Sequence, residues 1–121
     1  MSPQKNQALW RRTSFALAGL MYGLRKERSV RFEAFVLVLV VAALAVLRPG
    51  PLWWAAVALA SAGVLAAELL NTAIETLADH LSPHLHPRIR VVKDCAAAAV
   101  LVAVIGALGV AAALAVHLLH R

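Results

Sequence analysis

Three long apolar runs alternate with short polar stretches along the chain, and the period and length of each run predict its element. Between Trp10 and Lys26, the apolar Trp10, Leu17, Leu20, Met21 and Leu24 stand against Arg11, Arg12, Arg25 and Lys26 near the ends. This pattern predicts an amphipathic helix lying on a membrane surface over residues 10–28. The first long apolar run, 32–47, is shorter than the roughly 20 residues of a usual membrane span, so Arg31 and Arg48 are expected to snorkel towards the interfaces. Arg48, Pro49, Gly50 and Pro51 then make a break that no helix crosses unbent. The second run, 52–78, opens on Trp53 and Trp54, as residues at a membrane interface do. At about 1.5 Å per residue it is longer than the roughly 30 Å hydrocarbon core, so its last turns are expected to emerge. Pro83 and Pro87 mark a loop, and the third run, 95–119, is rich in Ala and Val, uncharged and suited to close helix packing. The polar residues 1–9 read as a loosely held chain end.

Composition agrees with this pattern. A chain of 121 residues that is 62% hydrophobic and 15% charged has more apolar surface than a soluble domain of its size can bury. The expected fold class is therefore all-α: an integral membrane protein with a surface helix and three transmembrane helices in one membrane domain, residues 1–121. A lone Cys95 rules out an intramolecular disulfide framework. The net charge of +6 would suggest nucleic acid for a soluble chain; in a membrane protein it reads as a topology signal, and no nucleic-acid partner is expected. Arg11, Arg12, Arg25, Lys26, Arg28 and Arg31 precede the first span, and Arg88, Arg90 and Lys93 lie between the second and third. The positive-inside rule places both groups on the cytoplasmic side, where ATP is available.

The candidate chemistry is concentrated between Ala67 and Cys95. Glu68, Asn71, Glu75 and Asp79 interrupt an otherwise lipid-compatible helix at offsets of three, four and four, which puts them on one stripe. A carboxylate costs about 2.5 kcal/mol or more at the centre of a span, so carboxylates there are functional candidates by default. Two depths predict two roles. Glu75, near the interface, suits a hard cation such as magnesium, which takes one or two carboxylates together with substrate phosphate oxygens. Glu68, deeper by two turns, suits a base that accepts a proton from an alcohol held in the lipid phase. Lys93 is a point charge fit for phosphate or an interfacial lysine, and Asn71 can orient a carboxylate or bond a phosphate. His80, His84 and His86 match no closed zinc spacing, and loop contacts to a nucleotide are the better reading for them. No Gly-rich phosphate loop is present. The C-terminal His117 and His120 have no assigned role. A different class of protein, a small proton-coupled transporter with Glu68 as its proton carrier, would have no use for Lys93, Asp94 or carboxylates gathered at one face, and no inverted repeat is visible.

The run ELLNTAIETLAD from Glu68 to Asp79, the pair His86–Pro87, the stretch KDCAAAAVL from Lys93, SFALAGL from Ser14 and ERSVR from Glu27 together resemble the prokaryotic diacylglycerol kinase family. These are small three-span lipid kinases that include undecaprenol kinases. The resemblance implies a homotrimer in the bacterial inner membrane with active sites shared between subunits at the cytoplasmic surface. It implies transfer of the ATP γ-phosphoryl group to a lipid hydroxyl, with Mg2+. Diacylglycerol is the family's default acceptor, and undecaprenol is the alternative that the ERSVR segment favours. By motif match, Glu68 is the catalytic base, Glu27 and Glu75 hold the metal with ATP, and Asn71, His86, Lys93 and Asp94 complete the nucleotide site. Phosphoryl transfer asks mainly for positioning and charge neutralisation, which suits so sparse a set.

Overall fold

A computed structural model describes residues 8–84 and 86–121. The polar stretch 1–7 lies outside the described residues. Four helices run in chain order: α1, Leu9–Lys26; α2, Arg28–Leu47; α3, Pro51–Leu81; and α4, Pro87–Leu119. The last three are long and apolar enough to cross a membrane.

Each boundary has a local cause. Glu27 is the single non-helical residue between α1 and α2, with extended backbone at φ −110° and ψ 119°. Its N–H still donates to the Gly23 carbonyl at 2.9 Å, and its own carbonyl accepts from Arg31 N at 3.2 Å. The Arg31 guanidinium reaches back to the carbonyls of Leu24 and Arg25, at 3.2 and 2.9 Å, and satisfies the orphan acceptors at the end of α1. Helix α2 ends where Arg48 turns left-handed at φ 50°, and Gly50 at φ 117° opens α3, with Pro51 at its first position.

Helix α4 starts earlier than the apolar run predicts, at Pro87 rather than residue 95. Proline is tolerated at a first helical position, and His86 caps the helix by accepting Arg88 N–H on Nδ1 at 3.1 Å. With α3 ending at Leu81 and α4 beginning at Pro87, Arg88, Arg90, Lys93 and Asp94 stand on helix. Helices α3 and α4, with 31 and 33 residues, each exceed about 45 Å in length, so both have turns to spare beyond a 30 Å hydrocarbon core.

Helices α3 and α4 form the principal packed pair, and α2 and α1 join α3 more sparsely. Few side chains are buried: Val30, Leu44, Val57, Val64, Ala78, Ala96 and Thr72. Phe32, Phe35, Leu101, Val102, Ile105 and Leu108 are all more than half exposed. Apolar surface on that scale is stable only against lipid or other protein, and with three spanning helices the chain is a multi-pass membrane protein.

Two ends are distinct. At one, the α2–α3 turn meets the end of α4: Trp53 and His117 rings lie 5.3 Å apart, and the Arg121 guanidinium donates to the carbonyls of Leu47 and Arg48. At the other, the α1–α2 junction and the α3–α4 turn bring the polar residues together.

Candidate active site at the polar end of the bundle

Glu68 is half-buried on α3. Ser29, in the first turn of α2, donates its hydroxyl to Glu68 Oε2 at 2.9 Å, and Glu33, one turn further along α2, lies within electrostatic reach of the same carboxylate. The ERSVR segment thus has three physical tasks. Glu27 breaks the helix, Ser29 binds Glu68 and Arg31 closes α1. Ser29 and Glu33 escape the sequence argument, although a charged residue just inside an apolar run was a signal for Glu33.

Close approach of α1 fixes this corner. Gly23 is buried, and a Cβ there would come within 2.8 Å of Leu69 Cδ2 and 3.6 Å of Val30. With no side chain in the way, the end of α1 sits directly on α3 beside Glu68, and Glu27 follows one turn later. Glu27 and Glu75 are both half-buried and make no side-chain hydrogen bond among the described residues.

Asn71 lies on the stripe between the two glutamates. Its Oδ1 is buried with no hydrogen-bond partner, and an orphaned acceptor of this kind carries a desolvation cost unless a ligand or another group completes it. Thr72 beside it is buried, and its carbonyl accepts from Thr76 Oγ1 at 2.7 Å.

Lys93 reaches across from α4 to form a salt bridge with Asp79 Oδ1, so it stands at the interfacial end of the stripe. Asp94 is exposed, about 100° further round the helix than Lys93, and does not share that face. His86 is committed through Nδ1 to capping α4, His84 accepts on its carbonyl from Ser82 Oγ at 2.8 Å, and His80 lines the groove between α1 and α3. No three His, Cys, Asp or Glu side chains among the described residues converge as a metal site.

Two cavities adjoin these residues. A cleft of about 450 Å³ between α2 and α3 is walled by Leu37, Val41, Val57 and Leu65, with Glu33 as its one ionisable residue. A groove of about 750 Å³ separates α1 from the second half of α3, between Ala16, Gly19 and Tyr22 on one wall and Ala73, Thr76 and Leu77 on the other. The first is an apolar slot that ends near the Glu33–Glu68 pair; the second is equally apolar and follows the polar stripe on its flank.

The arrangement can hold a carboxylate next to an apolar slot, with a lysine of α4 tied to the interfacial end of the same polar stripe. The chain matches the family model for prokaryotic diacylglycerol kinase over residues 14–115. It is 38% identical over 94 residues to a diacylglycerol kinase of Synechocystis sp., an alignment that covers 77% of this chain and 54% of that protein. The matched stretch thus spans about half the length of that curated relative. No solved structure matches the chain. With a family match running from Ser14 to Ala115, through the α1–α2 junction, the polar stripe of α3 and the start of α4, the chain belongs to the prokaryotic diacylglycerol kinase family.

Proposed function

We propose that the chain is an ATP-dependent lipid kinase that transfers the γ-phosphoryl group to a membrane lipid hydroxyl, with diacylglycerol as acceptor and phosphatidic acid as product. The observation that carries this reading is Glu68: a carboxylate held by Ser29 and within electrostatic reach of Glu33, which itself lines the apolar α2–α3 cleft. A lipid whose chains occupy that cleft presents its hydroxyl at the polar end. Glu68 takes the hydroxyl proton as the oxygen attacks the γ-phosphorus, the bond to the β–γ bridging oxygen breaks and ADP leaves, and Ser29 orients the carboxylate. The nucleotide lies towards the interface, where Lys93 offers its charge to phosphate and Asn71 and His86 line the approach, while Asp94, turned away from its own chain's stripe, would join the site of a neighbouring subunit.

The donor set fits a hard divalent cation. Glu27 and Glu75 supply two carboxylates and Asn71 Oδ1 an unpartnered oxygen, and a magnesium ion that shares its coordination with substrate phosphates needs no larger protein set. Bound with ATP, the cation neutralises phosphate charge. We assign Glu27 and Glu75 as its ligands. The orientation that puts this end of the bundle in the cytoplasm follows from the basic residues flanking it, and the membrane is the bacterial inner membrane. A homotrimer with sites shared between subunits accounts for the apolar faces that one chain leaves exposed and for Asp94 facing away from the stripe.

The test uses purified chain in mixed micelles with magnesium and γ-labelled ATP, offering diacylglycerol and undecaprenol in parallel. Label in diacylglycerol is expected. Label in undecaprenol alone would reassign the acceptor and keep the kinase. A folded chain that labels neither would end the kinase reading and direct attention to proton flux in vesicles.

A further inference from the structure

Asp79 is the one member of the α3 stripe without a task in the kinase reading. Its carboxylate accepts from Lys93 Nζ across the α3–α4 turn, in the only salt bridge among the described residues. The side chains are 63% exposed for Asp79 and 33% for Lys93. A pair this open to water adds little to stability, so its effect is on geometry.

That geometry is well anchored. Asp79 follows Ala78, which is 3% exposed, and Lys93 lies one turn before Ala96, which is 6% exposed. Two alanines with almost no solvent contact mark a close approach of α3 and α4, and each member of the pair is mounted beside it. The Lys93 ammonium is a compact charge on a flexible four-carbon stem. Asp79 removes much of that freedom and uses one of the three ammonium donors, leaving two for another acceptor. Since Asp79 lies one turn beyond Glu75 on the same face, the ammonium is held at the interfacial end of the stripe.

We propose that Asp79 is a positioning residue: it fixes the Lys93 ammonium so that its two remaining donors meet the phosphate oxygens of an incoming nucleoside triphosphate. The inference rests on the reading of Lys93 as a nucleotide contact and adds the group that orders it.

The test compares Asp79→Asn, Asp79→Glu and wild type in the lipid kinase assay, with thermal unfolding of each variant as a control. Loss of the tether should raise KM for ATP about fivefold, the scale set by ordering one long side chain on binding, with kcat held within about twofold. Asp79→Glu keeps the carboxylate and should restore most of the difference. Asp79→Ser replaces the Asn variant if that one does not fold, with the same expectation. Equilibrium dialysis against labelled Mg·ATP supplies a second arm: in a Lys93→Met background, Asp79→Asn should weaken binding no further. An unchanged KM in a folded variant overturns the proposal, and so does a lowered one, which would mean that the carboxylate competes with phosphate for Lys93. A loss that persists without Lys93 overturns it as well. If the wild-type chain labels no lipid, the kinase reading fails instead, and the dialysis arm still decides whether the pair orders a phosphate site.

Discussion

Glu68 and Glu75 lie seven residues apart on one face of α3, about 10 Å along its axis, and their surroundings separate their tasks. Glu68 has a hydroxyl donor in Ser29 and a carboxylate neighbour in Glu33, whereas Glu75 makes no side-chain hydrogen bond among the described residues, which suits the cation role proposed for it. Glu68→Gln keeps the shape and removes the base. Turnover should fall by about 10²-fold or more, the usual worth of a positioned general base, with Mg·ATP affinity near wild type by equilibrium dialysis; parallel loss of both would withdraw the base assignment. Glu75→Gln should raise the magnesium concentration for half-maximal activity about tenfold, the lower end of what altering a metal's protein shell costs. A magnesium titration identical to that of wild type would argue against a metal role. The stripe itself was legible from the offsets of three, four and four. Ser29 was not, because nothing local marks a serine as the partner of a carboxylate 39 positions away.

At the scale of elements, short breaks set the shape. Gly50, at φ 117° and with its carbonyl accepting from Trp53 N at 3.2 Å, lets α3 start immediately after the left-handed cap at Arg48. Few residues other than glycine hold such a backbone without strain. Gly50→Ala should destabilise the chain by about 1–3 kcal/mol, read as an earlier unfolding midpoint in a denaturing-detergent titration, and an unmoved midpoint would show that the turn tolerates a Cβ. The Pro-Gly-Pro signal made this break readable in advance. The other two boundaries were harder to place. Apolar periodicity locates the lipid-compatible part of a helix but says little about its charged ends. The first turns of α4, with Arg88, Arg90, Lys93 and Asp94, are helical because Pro87 and the His86 cap start the helix before the apolar run begins.

For the whole molecule, the separation of groups is informative. Lys93 is tied to Asp79, which is eleven residues from Glu68, about 16 Å along the helix, and Asp94 faces elsewhere. A trimer with each site built from two subunits can close such a gap. Co-expressing Glu68→Gln with Lys93→Met chains should then recover about a quarter of wild-type activity under random assembly of a cyclic trimer with one site per interface, although each variant alone is inactive. Activity that stays at background in the mixed sample would assign the complete site to one chain.

Hydrophobic length and the depth of buried charge were enough to establish three apolar helices and a polar stripe on the second of them. Both follow from the cost of placing polar groups in hydrocarbon, which acts on every residue in order along the chain. Tertiary structure alone decided that Ser29 and Glu33 meet Glu68, that Gly23 admits α1 against Leu69, and that Asp79 rather than Asp94 holds Lys93. Those pairings depend on how helices distant in sequence rotate and cross. That geometry is set by the packing of small side chains such as Gly23, Ala78 and Ala96, and no local period records it.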